Sequence, residues 1–362
     1  DGTTTPWTQG AGTQANPYLI ENGAHLAYLA QQVNAGNAYS DTYFKLTTDI
    51  DLLHMPWVSI GSDDAHPFSG VFNGDQYSVF NVQPSPSEYI GLFGVTSGAQ
   101  ISNLFINSNI SLTTTSTLRV GGMVAKAVNT EFNNCHTMGS YCVKVSEAST
   151  AGIYVYVGGM VGDAADCTFS SSHNYAAINA TDSVVSHELC TNSGFTFAGG
   201  IAAKATNSTF SCTSNFGSIR SKAYSHVVVK SGSVSYAMAF AGGLVGAGNC
   251  NIVSKTYTYD GDCISWWGSW CTAYEQLTGY LFYPDFTSLA SSQNTFERCY
   301  NTGNITAIVR ADNILQRSNC WVYTGGICGW GGTTTNCYNR GNINAYSIWA
   351  SSKDNQGNRQ TG

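Results

Sequence analysis

The chain has 362 residues and a formal net charge of −7, and only 10% of its residues are charged while 39 are glycine. The scarcity of Lys and Glu disfavours a largely helical protein, because few strong helix formers are available. The negative charge argues against nucleic acid or an anionic membrane as the main partner, and no apolar run is long enough for membrane insertion.

Residues 1–66 are predicted to form an entry segment with a capping helix and the first strands. The helix has Asn22 as its N-cap and ends near Gly36. Apolar residues follow the helical period, at Leu26, Leu29, Ala30 and Val33. A single amphipathic helix before a series of strands is suited to cover the open end of a stack, so we predict a cap.

Residues 67–350 repeat a phrase built on two adjacent glycines. It reads Ala241-Gly242-Gly243-Leu244-Val245-Gly246 in one copy, and the first glycines of the full copies are Gly121, Gly158, Gly199, Gly242 and Gly325. Repeats of this kind, about 40 residues long with one double-length step, cannot bury an apolar face alone and must stack. We therefore predict an all-β, mostly parallel β-helix with one coil per repeat and these glycines on equivalent rungs, followed by a polar tail at 351–362.

The order of the motifs resembles a known family. Tyr18-Leu19-Ile20 is followed by a helix, an alternating strand at 43–52, Trp-x-x-Ile-Gly at 57–61, Phe-x-Gly-x-Phe-x-Gly at 68–74 and then the Gly-Gly repeats. Over residues 16–346 this order resembles the GLUG-motif proteins, which are secreted or surface proteins of bacteria and whose motif also occurs in immunoglobulin A1 proteases. The resemblance implies a right-handed β-helix, here of about seven coils, and an adhesin-like role. The cysteine content and an insertion at 259–295 depart from the family pattern.

The twelve cysteines contain no Cys-x-x-Cys pair, which removes the usual signal for zinc ribbons and redox sites. Disulfides in an oxidising compartment are the preferred interpretation, and buried thiols are the alternative. We expect an extracellular or cell-surface protein, and the start at Asp1 is what a mature chain with its signal peptide removed would show.

Three disulfides are predicted from position along the chain. Cys299 and Cys337 occupy the same place in successive repeats, about 4.8 Å apart if one repeat is one coil, which a disulfide can span. Cys263 would pair with Cys271 and Cys135 with Cys142. Sequons predict glycosylation in a source that glycosylates, at Asn109, Asn179, Asn207 and Asn304.

Catalytic and metal motifs are incomplete. The nearest string to a zinc-protease helix, His187-Glu188-Leu189-Cys190-Thr191, lacks the second His, and no Gly-x-Ser-x-Gly elbow is present. The acidic pairs are interpreted as parts of strands and loops rather than as a catalytic set: Asp49 with Asp51, Asp63 with Asp64, and Asp163 with Asp166. We therefore expect no enzyme, no cofactor and no metal, and a polysaccharide-degrading β-helix is the weakest alternative.

Aromatic residues supply the remaining candidates. One series stands two positions before each Gly-Gly pair and predicts a ladder, either in the core or as a ridge for a ligand: Tyr156, Phe197, Phe240 and Tyr323. The insertion holds a denser set, and Trp and Tyr dominate binding hot spots. The predicted binding residues are Trp266, Trp267, Trp270, Tyr274, Tyr280 and Tyr283. A folded mini-core is the alternative for the insertion.

The preferred function is non-catalytic binding of a host or matrix glycan or glycoprotein through this insertion. The rival hypothesis is a structural subunit that self-associates through its stack ends or edges into a fibre. Low charge and neutral Ser, Thr and Asn faces fit both.

Overall fold

The computed structural model describes residues 3–146, 153–186, 192–227, 235–248, 251–267, 270–285, 293–313 and 318–351. These residues form strands in mostly parallel sheets together with one α-helix, which confirms the all-β class. Disulfide and binding predictions that involve side chains of 251–285 lie outside the described side chains.

The single described helix spans Gly23–Asn34, as predicted. The Asn22 side chain accepts a hydrogen bond from the His25 backbone N–H at 3.0 Å, which satisfies one of the free donors of the first turn. The buried face is the predicted one: Leu26, Leu29, Ala30 and Val33. At its other end, Asn34 accepts bonds from the backbone N–H groups of Gly61 and Ser62 and so fixes the helix against the first strands.

Most strands belong to four sheets. The five-stranded sheet contains Phe93–Ser97, Val124–Val128, Val161–Ala165, Ala202–Thr206 and Val245–Gly248. The nine-stranded sheet contains Tyr18–Ile20, Tyr43–Leu46, Val71–Asn73, Gln100–Ser102, Glu131–Asn133, Thr168–Ser170, Thr209–Ser211, Thr295–Glu297 and Thr333–Thr335. The six-stranded sheet contains Tyr89–Ile90, Leu118–Gly121, Ile153–Gly158, Asn192–Gly199, Ser235–Gly242 and Ser318–Gly325.

The twelve-stranded sheet contains Ile50–Asp51, Ser78–Phe80, Phe105–Thr114, His136–Ser146, His173–Asn174, Ala177–Ser186, Ser214–Asn215, Ile219–Val227, Tyr300–Asn301, Ile305–Asn313, Tyr338–Asn339 and Ile343–Ser351. Two small sheets complete the set: Pro56–Trp57 with Gln83–Pro84, and Asn251–Trp267 with Trp270–Asp285. From residue 93 to residue 325, apart from the hairpin at 251–285, the chain visits the five-, nine-, twelve- and six-stranded sheets in that order and then begins again.

The register confirms the rung prediction for the glycines. In the six-stranded sheet Gly121 pairs with Gly158, Gly158 with Gly199, Gly199 with Gly242, and Gly242 with Gly325, always in parallel. Each repeat therefore adds one strand to this sheet. A side chain at Gly242 is excluded, because a Cβ there would lie 1.8 Å from the Val245 carbonyl oxygen.

A left-handed residue turns the chain from the nine-stranded to the twelve-stranded sheet in every repeat. The position is held by Asn103, Asn134, Ser171, Cys212, Arg298 and Asn336, all with φ between 48° and 54°. Asn tolerates this conformation better than most residues, which explains its frequency at the corner.

Two main apolar cores result. One lies beneath the helix and continues along the repeats through stacked phenylalanines, of which Phe132, Phe169, Phe210 and Phe296 are spaced 4.7–4.8 Å apart. The other joins the twelve-stranded and six-stranded sheets and is built from small aliphatic residues such as Val155, Ile178 and Ala223. The two cores together run the length of the repeats.

Candidate functional site

The aromatic insertion forms a long antiparallel hairpin. Its strands, Asn251–Trp267 and Trp270–Asp285, have 17 and 16 residues and pair only with each other among the described strands. Trp267 lies opposite Trp270, so the predicted tryptophans are at the closed end of the hairpin, whereas Tyr280 and Tyr283 lie opposite Thr256 and Val253 nearer its base. The backbone thus brings Trp266, Trp267 and Trp270 together and leaves the tyrosines spread along one strand.

The stack continues past the insertion without a change in register. Phe210 pairs with Phe296 just as Phe169 pairs with Phe210 one repeat earlier. The two ends of the insertion are close, since a Cβ at Gly248 would lie 2.4 Å from the Asn294 side-chain nitrogen. The hairpin is therefore an addition that the stacking of the repeats does not require.

The cysteines do not follow the predicted pairing. Cys135 and Cys142 are both free thiols: Cys135 is buried at the corner before the strand His136–Ser146, and Cys142 lies seven residues along it with Asn179 at 3.7 Å. A separation of roughly 20 Å along a strand is too long for a disulfide, so this prediction is wrong. The predicted Cys263–Cys271 disulfide lies outside the described side chains.

Cys299 and Cys337 stack in successive repeats as expected, but the structure holds two free thiols instead of the predicted disulfide. The Cys299 backbone N–H donates to the Cys337 sulfur at 3.4 Å. Each thiol contacts the carbonyl oxygen two residues earlier, at Glu297 and Thr335, in the way that Ser172 bonds to Ser170 at the equivalent corner. These cysteines therefore act as corner donors, and burial raises the pKa of Cys299 to about 11.

Three of the predicted glycosylation sites are exposed, namely Asn109, Asn207 and Asn304. Asn179 is partly buried, and its side-chain oxygen accepts a bond from the Thr181 hydroxyl at 3.4 Å. Whether any of them carries a glycan stays a prediction.

The acidic residues of the predicted pairs accept hydrogen bonds from the backbone or form ion pairs. Asp51 accepts from the Leu53 N–H and the Asn81 amide, and these hydrogen bonds lower the pKa of its carboxyl. Asp64 is exposed in a loop, where it binds Lys126 Nζ at 2.8 Å and the Tyr89 hydroxyl at 3.0 Å. Among the described residues, no three His, Cys, Asp or Glu side chains are close enough to hold a metal ion.

The predicted aromatic ladder exists and is buried. Tyr156, Phe197, Phe240 and Tyr323 stack with ring centroids 4.7–4.9 Å apart. Phe240 has no exposed surface and Phe197 is 2% exposed, so the ladder is a core feature and not a ridge for a ligand.

Arg119 extends this ladder on the side of the N-terminal repeats. Its guanidinium lies 5.3 Å from the Tyr156 ring centroid and 5.6 Å from that of Tyr89. Glu88 binds Arg119 directly and Asp163 lies 3.6 Å away, so the cation is neutralised where it is partly buried. Burial and the Asp64 hydrogen bond raise the pKa of Tyr89 to about 12.

A second aromatic set was not predicted, and it lies on the outside. It follows the outer surface of the twelve-stranded sheet near the left-handed corner, and we call it the aromatic strip: Phe105, His136, Met138, His173, Tyr175, Phe216, Tyr300 and Tyr338. Its most exposed members are Tyr338 at 48%, Tyr175 at 45%, Met138 at 44% and Phe216 at 36%. The strip crosses all the repeats from residue 105 to residue 338.

Ring contacts make the strip continuous. Tyr175 and Phe216 stack 4.7 Å apart with planes 2° from parallel. Phe216 meets Tyr300 edge to face at 5.4 Å, and Tyr300 stacks on Tyr338 at 5.2 Å. These contacts hold the side chains in fixed positions, so little rotamer freedom remains to be lost on binding.

Two histidines occupy the middle of the strip. The rings of His136 and His173 stack 5.0 Å apart. Burial and, to a smaller extent, the neighbouring His173 lower the pKa of His136 to about 4, and burial also lowers the pKa of His173. Both shifts favour the neutral imidazole near pH 7. At one end of the strip, the Arg340 guanidinium lies 5.5 Å from the Tyr338 ring centroid.

No family model matches the chain. A Gly-rich protein of Evansella cellulosilytica, named as a membrane protein, is 39% identical over 94 residues, which are 24% of this chain and 10% of that protein. Halomucin of Haloquadratum walsbyi is 30% identical over 184 residues, which are 40% of this chain and 2% of halomucin. The matched segments are thus a small part of these relatives. In the described part of the chain, no helix is long and apolar enough to cross a membrane.

Two solved structures that carry the immunoglobulin A1 protease name align with the chain. One comes from Bacteroides ovatus, is 14% identical and has a TM-score of 0.40 over 95% of this chain and 87% of its own. The other is 14% identical with a TM-score of 0.44 over 93% of this chain and 21% of its own.

Proposed function

We propose that this chain is an extracellular, adhesin-like protein that binds a host or matrix glycan or glycoprotein without chemical turnover. We also propose that its repeats form a right-handed β-helix of the GLUG kind, which serves as a rigid support for the binding surface. The motif order at residues 16–346 and the parallel one-repeat register support this second point.

The aromatic strip is the observation that carries the proposed function. A large, contiguous and exposed apolar patch on a soluble protein often marks an interaction site. Tyr combines an apolar ring with a hydroxyl that binds water or a polar ligand atom, which suits contact with a sugar or a protein surface. The strip is also held in place by its own ring contacts, so a partner can bind at low entropic cost.

The hairpin is the second element of the proposal. It places three tryptophans at a closed end that the stack does not need, and long insertions in compact proteins are commonly functional. Its predicted binding residues remain a hypothesis, and they are tested separately from the strip.

Arrays of glycans and of extracellular-matrix glycoproteins test the proposal. We expect the unmodified chain to bind a defined subset, and we expect the double variant Tyr175→Asn, Phe216→Asn to lose at least tenfold in affinity. Leu53→Asn with Val58→Asn is the matched control, since these residues are 70% and 55% exposed but lie away from the strip. Absence of binding on every array, or equal loss in the control, would contradict the proposal.

A second variant removes the hairpin. Residues 249–293 are replaced by Thr-Asn, the pair at 206–207 that connects the same two sheets in the preceding repeat. If the hairpin contributes to binding, this variant keeps its thermal unfolding transition and loses affinity. Unchanged affinity would assign binding to the strip alone.

A structural subunit is the alternative, and one observation favours it. Ile343 occupies the rung of Ile305, which has no exposed surface, yet Ile343 is 44% exposed in the last described repeat. A further β-repeat from another copy could cover this end and extend the stack. Concentration-dependent filaments in electron microscopy, abolished by Ile343→Lys, would support this function over monomeric binding.

A further inference from the structure

The distal half of the twelve-stranded sheet has an outer surface of unusual charge. Parallel pairing aligns Lys144, Thr181 and Lys222 in one row across the strands, and Cys142, Asn179 and Arg220 in the neighbouring row. The residues between them along each strand, such as Val143, Ala180 and Ser221, are buried. The aligned side chains therefore all point outward on one face.

Four cations lie on this face, and we call them the basic face: Lys144, Arg220, Lys222 and Arg310. Lys144, Arg220 and Arg310 are exposed. Lys144, Arg220 and Lys222 make no ion pair with any residue whose side chain the structure describes. Arg310 lies on the ring of Tyr224, 5.2 Å from its centroid.

Carboxylates are absent from this face, as far as the described side chains extend. The nearest acid in the same strands, Asp182, points to the interior and has no exposed surface. Burial raises the pKa of its carboxyl well above the usual range, so it contributes little negative charge. In a chain of net charge −7, Lys144, Arg220 and Lys222 form a localised positive surface.

We propose that the basic face is a binding site for an acidic polysaccharide that carries carboxylates at regular intervals. Lys144 and Lys222 lie two strands apart, or about 10 Å between their Cα atoms. This separation is close to the length of a disaccharide, so the two ammonium groups match uronates on every second sugar. Asn179 and Thr181 lie between the cations and offer amide and hydroxyl groups to the sugar hydroxyls.

The charge density favours this ligand over nucleic acid. Duplex DNA carries one charge per roughly 1.7 Å of its length, which suits a dense basic surface. The basic face is sparse and its cations alternate with neutral residues, so it matches a polymer with one charge per disaccharide better than it matches DNA.

The test uses a hyaluronan octasaccharide and its carboxyl-reduced, neutral counterpart, with calorimetry at 50 and 300 mM salt. The protein is produced in bacteria, so that Asn179, whose sequon lies on this face, carries no glycan. We expect binding of the acidic octasaccharide, at least tenfold weaker binding of the neutral one, and weaker binding at high salt.

The deciding variant is Lys144→Gln with Lys222→Gln, which should lose at least tenfold in affinity for the acidic octasaccharide. Its control is Lys45→Gln with Arg298→Gln, which removes the same charge from side chains that are paired with Asp75 and Glu297. The strip variant Tyr175→Asn, Phe216→Asn should retain binding, so failure of this site and failure of the proposed function are distinguishable. No binding, an equal loss in the control, or equally tight binding of a DNA duplex or of anionic vesicles would overturn the proposal.

Discussion

Asn215 donates a hydrogen bond from its side-chain amide to the side-chain oxygen of Asn301 at 2.7 Å, although the two residues are 86 positions apart. Asn174 donates to Asn215 in the same way, and Asn301 donates to Asn339. Each amide also donates to the carbonyl oxygen two residues later, so the ladder satisfies its own polar groups inside the stack. The ladder ties four repeats together at one corner.

Asn215→Ala should lower the free energy of unfolding by about 2–3 kcal/mol, because it leaves buried partners unsatisfied on both sides. Urea denaturation followed by circular dichroism measures the change. Asn339→Ala, at the half-buried end of the ladder, is the control and should lower the free energy of unfolding by a smaller amount. Equal decreases in the free energy of unfolding for the two variants would mean that the ladder contributes no stability beyond its local hydrogen bonds.

Asp182 should make the stack less stable as the pH rises. Its side chain is buried, one carboxyl oxygen has no partner, and burial raises its pKa well above the usual range. A raised folded-state pKa means that stability is highest below the unfolded pKa of about 3.9 and falls as the pH rises towards the folded value.

Asp182→Asn should therefore be more stable than the unmodified chain at pH 8, and the difference should shrink towards pH 4. Melting temperatures at both pH values measure it. The difference between the two proteins cancels the opposite contribution of Asp51, whose pKa is lowered. A difference that is constant with pH would contradict a raised folded-state pKa for Asp182.

The buried ladder and the exposed strip should respond differently to truncation. Phe240→Ala should cost about 3–5 kcal/mol, since the ring has no exposed surface and its removal leaves a cavity. Phe216→Ala should cost only about 1 kcal/mol, the value of one ring contact, because the side chain is 36% exposed. Urea denaturation of both variants checks the ranking, and the reverse order would contradict the assignment of core and surface.

The repeats, the helix and the glycine rungs could be predicted because each depends on a short sequence pattern. The Gly-Gly phrase recurs in every copy, and the close approach of Gly242 to Val245 explains why no other residue fits there. The buried aromatic ladder could be predicted from the same register, because its residues stand two positions before each Gly-Gly pair.

The aromatic strip could not be predicted from one recurring position of the repeat. Tyr175 and Phe216 lie two positions further along their strands than Tyr300 and Tyr338, so no single column of the repeat contains all four. The edge-to-face contact of Phe216 with Tyr300 joins the two halves. Lys144 and Lys222 are likewise separated by a repeat in which Thr181 holds the position.

The predicted Cys299–Cys337 disulfide failed for a related reason. The sequence places Cys299 and Cys337 on successive rungs, but it does not show that their thiols are occupied by the backbone carbonyl groups of the corner. Ser172 makes the same bond elsewhere in the column, and the Thr213 hydroxyl lies 3.2 Å from the Cys299 sulfur, so the corner selects a small polar side chain and not a crosslink.

Alkylation at pH 8 should separate the thiols by burial. Cys142 and Cys212 are partly exposed and should be labelled in the folded protein, whereas Cys135, Cys167 and Cys299 should be labelled only after denaturation. Burial raises the pKa of Cys135 and Cys167 to about 12, which leaves little thiolate to react. Non-reducing peptide mapping is the measurement, and recovery of a peptide linked through Cys299 and Cys337 would contradict the free-thiol structure.

The most direct test of the central claim is the affinity of the strip variant for the best ligand found on the arrays. Surface plasmon resonance compares the unmodified chain, Tyr175→Asn with Phe216→Asn, and Leu53→Asn with Val58→Asn, all confirmed as folded by thermal unfolding. We predict that the dissociation constant rises at least tenfold for the strip variant and changes less than twofold for the control. Equal affinities of all three proteins, with the ligand recovered intact, would show that the aromatic strip is not the binding surface.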